Sequence, residues 1–143
     1  MAATDRDVVR IGALALRFLV DETQSSGDLV VFEFAVPADA RVPVPHYHER
    51  VDEMVYGLEG RLATTVDGRA RELGPGDSLF IPRGSVHQHE NRQGGTARAL
   101  IVLAPGSIGR RYFEEVAEVV NGPGPPDPAR VRGIMLRHGL VPA

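Results

Sequence analysis

The sequence predicts an all-β domain, closed as a sandwich or barrel and followed by two short helices. Three observations predict it. Short apolar–polar alternations recur from Val8 to Ala104, the signature of strands with one buried face. Glycine and proline punctuate them, 16 and 11 among 143 residues, so the strands are short and the turns tight. After Pro105-Gly106 the apolar spacing changes to that of a helix.

Taken in order, Val8 to Val20 reads as one strand, with Leu14, Leu16, Phe18 and Val20 sharing a face. Asp21 to Gly27 is polar and turn-rich. Leu29 to Val36 is the clearest strand, with Val30, Phe32, Phe34 and Val36 on one side and Glu33 interrupting the other. The three prolines of Pro37–Pro45 make a loop, because proline supplies no ladder donor. Met54–Leu58 and Arg61–Val66 read as strands. Asp67-Gly68 is a two-residue hairpin turn, and Arg69–Leu73 is the returning strand. Ser78–Ile81, Ser85–Glu90 and Ala97–Ala104 complete the series. Ile108 to Val120 carries a helical stripe that stops at Asn121-Gly122. Asp127 as N-cap and Pro128 at the first helical position start a second helix, which runs to His138. Residues 1–106 are expected to form the barrel. Residues 107–143 are expected to form a helical extension packed on it or on a partner, within one domain overall.

The length suits a single core that needs no covalent staples. A net charge of −3 gives no reason to expect nucleic acid or an anionic membrane as partner, and the C-terminal helices lack the basic face of a recognition helix. Cysteine is absent, so a metal has only nitrogen and oxygen donors. Met1–Asp7 shows no basic and apolar leader, and no apolar run is long enough for a transmembrane helix. These features predict a cytoplasmic protein.

Four of the five histidines fall in two segments. His46 and His48 are two residues apart, and on an extended strand their imidazoles share a face. Glu53 follows closely, with Glu49 and Asp52 nearby, and the loop between His48 and Met54 hides which carboxylate faces the imidazoles. Downstream, His87 and His89 also share a strand face. Imidazole with a nearby carboxylate is a donor set for transition metals.

These segments resemble the paired motifs of the cupin superfamily. The first is His46-x-His48, four residues, Glu53, six residues and Gly60. The second is Gly76, five residues, Pro82-x-Gly84, two residues, His87, three residues and Asn91. Ala40 stands where the family's first motif usually opens with glycine, a departure that removes no ligand. The resemblance implies a cupin jelly-roll (double-stranded β-helix) barrel with the two helices appended. It implies one divalent transition metal ion per chain, iron, manganese, nickel, copper or zinc, held by His46, His48, Glu53 and His87. His89 is then a residue of the pocket wall.

The layout is similar to small quercetin dioxygenase-like cupins. That likeness implies an oxidoreductase of dioxygenase type acting on a small enolic or aromatic compound, with Glu53 as catalytic base. Two other readings stand beside it: a metal-dependent isomerase, lyase or decarboxylase, and a non-catalytic module that binds a small molecule. The expected lining is mostly apolar, drawn from Phe32, Val55, Phe80 and the 97–104 strand. A homodimer is expected, pairing through Val8–Val20.

Overall fold

The computed structural model describes residues 7–143. The strands are β1 (Val8–Ile11), β2 (Leu14–Val20), β3 (Val30–Val36), β4 (His46–His48), β5 (Asp52–Glu59), β6 (Leu62–Val66), β7 (Arg69–Leu73), β8 (Ser78–Ile81), β9 (His87–Glu90) and β10 (Ala97–Ala104). They are followed by α1 (Arg110–Val120), α2 (Pro128–Arg137) and a last strand, β11 (Leu140–Pro142). One sheet has the order β1-β2-β3-β10-β5-β8 and the other β11-β4-β9-β6-β7, with antiparallel pairing in both.

Alternation dictates what each strand gives to the space between the sheets. Val30, Phe32, Phe34 and Val36 of β3 and Ala97, Ala99, Ile101 and Leu103 of β10 are buried, while the residues between them are half-buried. Each large apolar side chain withdrawn from water in this way stabilises the fold by about 1.5–3 kcal/mol. Helix α1 continues the core: Phe113 packs on Phe18 and Phe32, with ring centroids 5.9 and 5.2 Å away, and Tyr112, Val116 and Val119 are buried.

Several sequence expectations need correction. The run Val8–Val20 is two strands, because Gly12 takes a φ of 59° and turns the chain so that Ile11 pairs with Leu14. Asn121 holds that turn by accepting from the Gly12 N–H at 2.8 Å and donating to the Arg10 carbonyl at 2.7 Å. The first helix starts at Arg110, with Glu22 accepting from the N–H groups of Arg110 and Arg111. Phe80 does not face the space between the sheets. It lies on the outer face opposite Met54 and is 60% exposed. Glu33, by contrast, needs no correction, for it faces outward and pairs with Arg98. Strand β11 was not expected, and it matters for the site because it forms the edge next to β4.

Candidate metal centre

Three strands bring the motif residues together. On β4 the extended backbone sets His46 and His48 on one face, with their rings stacked 5.3 Å apart. Strand β9 lies alongside with His46 opposite His87, and the His87 ring is 4.7 Å from each of the other two. The facing sheet supplies Glu53, which points inward on β5 with Val55 because residues of like parity share a face. Asp52 has the opposite parity and pairs with Arg83 at 3.1 Å, away from the histidines. Glu49 is exposed, and its backbone N–H donates to the Gly139 carbonyl. Of the three nearby carboxylates, Glu53 is the one brought to the imidazoles. Its Oε1 is 3.6 Å from His87 Nε2 and 4.0 Å from His48 Nε2.

The tautomers are set by the backbone. His46 Nδ1 donates to the Val44 carbonyl at 2.8 Å and His87 Nδ1 to the Ser85 carbonyl at 3.0 Å. In its neutral form each ring thus keeps Nε2 as a lone-pair donor, the arrangement that orients histidine for a metal. Burial pushes His46 and His48 down to about 4, with the neighbouring His87 lowering both further and Glu53 acting against it, so both are neutral near pH 7. Burial disfavours charge on Glu53, yet the His89 and His87 imidazoles outweigh it and hold the carboxyl well below its ordinary range. Burial likewise opposes a charge on His87, and the Glu53 carboxylate more than offsets it and raises the pKa. The neutral His46 and His48, with His87 beside an ionised Glu53, form a nitrogen and oxygen donor set that fits a divalent cation, and all but the half-buried His46 are nearly withdrawn from water.

The possible ligands fall into two overlapping triads, His46–His48–His87 and Glu53–His87–His89, each with ligand atoms within 4.8 Å of one another. His89 Nε2 sits 2.6 Å from Glu53 Oε2, and its Nδ1 sits 2.9 Å from Thr64 Oγ1. Sequence reasoning placed His89 in the pocket wall, but missed its bond to Glu53 and missed Thr64 altogether. The turn at Asp67-Gly68 held the missing signal. It pairs β6 with β7 and so fixes which β6 residues face inward.

A cavity of about 480 Å³ is lined by Val66, Asp67, Arg69, Arg71 and Leu79, one ladder step from the cluster. Val66 is the ladder partner of His87, and Leu79 pairs with Val55, two residues from Glu53.

Two facing antiparallel sheets with imidazoles and a carboxylate between them define a small β-barrel protein with a candidate metal site. Comparison with known proteins names the class. Residues 26–103 match the family model for the cupin domain, and the chain belongs to the cupin superfamily. It is 33% identical over 106 residues to quercetin 2,3-dioxygenase of Bacillus subtilis, covering 74% of this chain and 31% of that protein. Among solved structures it is similar to the polyketide cyclase RemF from Streptomyces resistomycificus. That match has a TM-score of 0.60 and 32% identity and covers 73% of this chain and 78% of the other. It shares its double-stranded β-helix fold with a predicted oxalate decarboxylase from Thermotoga maritima, at TM-score 0.64 and 19% identity, covering 73% and 99% of the two chains. The chain spans between 31 and 47% of the length of the curated relatives it matches. Among the described residues no helix is long and apolar enough to cross a membrane.

Proposed function

We propose that this cupin is a metal-dependent enzyme of dioxygenase type acting on a small enolic or aromatic compound, with His46, His48, Glu53 and His87 holding one divalent transition metal ion. The observation that carries this reading is the gathering of three imidazoles, two of them oriented by backbone carbonyls, and a buried carboxylate, with a cavity one ladder step away. The likeness to quercetin 2,3-dioxygenase over 74% of the chain supports it. A bound divalent ion supplies Lewis acidity toward a substrate oxygen and, if redox-active, electrons for reaction with O2.

The chain's own residues do the rest. His89 binds Oε2 of Glu53, which leaves Oε1 turned toward His48 and His87. Glu53, ionised near pH 7, would leave the ion to accept the proton of an enol or phenol hydroxyl brought to the cluster. Val66 and Leu79 supply the apolar part of the wall that a substrate would meet. The 32% identity to a solved polyketide cyclase favours a second reading, Lewis-acid chemistry without O2.

The test is turnover of flavonol and β-diketone substrates by the metal-loaded protein, aerobically and anaerobically, with O2 uptake recorded. We expect O2-dependent turnover that falls by about 100-fold or more in Glu53→Gln while metal is retained. Full activity in that variant contradicts the base role, and equal turnover without O2 transfers the assignment to Lewis-acid chemistry.

A further inference from the structure

Strand β7 reads Arg-Ala-Arg-Glu-Leu, so it carries no apolar stripe from which its inner face can be read. The ladder supplies that face. Val66 pairs with Arg69, Thr64 with Arg71 and Leu62 with Leu73, and paired residues of an antiparallel ladder project to the same side. Leu62, Leu73 and Thr64 are buried between the sheets, so Arg69 and Arg71 stand on the inner face, where that face opens to solvent. Ala70 and Glu72 take the outer face, and Glu72 is bonded to Gln93.

Carrying the register one strand further gives two rows across the sheet. Arg69, Val66, His87 and His46 form one, and Arg71, Thr64 and His89 form the next. With strands about 4.8 Å apart, the Arg69 backbone lies about 10 Å from that of His87. An extended arginine side chain spans much of that gap. Both arginines line the cavity of about 480 Å³, and among the described residues neither has an ion pair or a side-chain hydrogen bond. Of the carboxylates near in sequence, Glu72 takes the outer face, and Asp67, which shares the lining, has its Oδ1 accepting from the Val86 N–H at 2.9 Å. Two unpaired guanidinium groups two residues apart on one face repel each other, and an oxyanion seated between them relieves that repulsion with charge-assisted, bidentate bonds.

We propose that Arg69 and Arg71 form an anion-binding wall of the substrate cavity, so that the small enolic or aromatic substrate also carries an oxyanion, a carboxylate or a phosphate ester. Its anionic group lies on the two guanidiniums and its reacting end points along the rows toward His87 and Glu53. This assignment rests on the proposed metal site for the direction of the substrate and revises the expected apolar lining, since Val66 and Leu79 provide the apolar part of the wall.

Binding of three probes to the full chain tests it: benzoate, phenyl phosphate and the neutral isostere benzamide, followed by calorimetry or ligand-detected NMR at two ionic strengths. One or both anions should bind at least about tenfold more tightly than benzamide, with a preference that weakens in high salt. The preference should vanish in the Arg69→Gln/Arg71→Gln double variant and persist in Arg132→Gln, a change in the exposed C-terminal helix. Metal content should be equal in all of these proteins. Preference for benzoate alone assigns a carboxylate and preference for phenyl phosphate alone a phosphate. No preference for either anion, or a preference undiminished in the double variant, overturns the proposal. The same titration on His48→Ala separates the two readings: an arginine-dependent anion preference there stands whether or not that variant loses metal.

Discussion

Glu53 is held through one oxygen of its carboxylate. One oxygen faces His48 and His87, while the other is bonded by His89, which is itself anchored by Thr64. A carboxylate fixed in this way presents one oxygen to the cluster in a constant orientation, and partners of this kind typically contribute 10- to 100-fold to metal affinity. We therefore expect His89→Ala to weaken metal binding by about that factor in a chelator competition. His89→Gln, which keeps a donor, should weaken it less, and an unchanged affinity in His89→Ala would contradict the positioning role. At this scale the histidines were legible because two-residue spacing has one meaning on a strand. Choosing Glu53 over Asp52 and Glu49 required the family spacing, because a loop of unknown shape separates them from His48. The departure at Ala40 has a simple outcome: the left-handed backbone in that loop falls on the preceding Asp39, at φ 59°.

The elements owe their fit to a few close approaches. A Cβ on Gly57 of β5 would stand 2.1 Å from the Gly74 carbonyl oxygen, in the turn that leads into β8. Gly57 also exchanges backbone bonds with this turn, donating to Asp77 and accepting from Gly76. Since backbone cannot swing away, Gly57→Ala should cost roughly 2 kcal/mol or more and lower Tm by several degrees. Gly133 in α2 is the contrast, for a Cβ there meets nothing within 4 Å. Gly133→Ala should stabilise by about 0.5–1 kcal/mol. Thermal denaturation of the two variants checks both signs, and a neutral Gly57→Ala would count against the packing of β5 on that turn. Strand identity was legible from alternation and turn chemistry, as at Asp67-Gly68, where both residues take positive φ. Less was legible where local pattern is silent. The Gly12 turn sits inside an unbroken apolar run, and β11 has three residues whose strand character comes only from pairing with β4.

In the whole molecule, the C-terminal segment completes the sheet that carries the histidines. Leu140 pairs with His48 and Pro142 with His46, while the Gly139 carbonyl accepts from Glu49 and the Pro45 carbonyl accepts from Ala143. At the foot of this strand, His138 is bonded to Glu115 of α1 at 2.8 Å, so the helices hold β11 in place. Removing residues 140–143 should free one side of β4 and lower metal affinity by about tenfold or more, while the far-ultraviolet spectrum of the barrel is retained. Affinity equal to the full chain would show that β4 is held by β9 and its loops alone. The barrel as a class was legible from many short strands, whereas this long-range closure was not. It joins residues more than ninety positions apart, and no periodicity reports that distance.

The proposed function depends on a metal held by the histidines. The most direct measurement is elemental analysis of the protein purified without added metal, and again after reconstitution, beside His48→Ala prepared identically. The account predicts close to one transition-metal ion per chain in the unaltered protein and little in the variant. Equal metal in both proteins, or none in either after reconstitution, would contradict it.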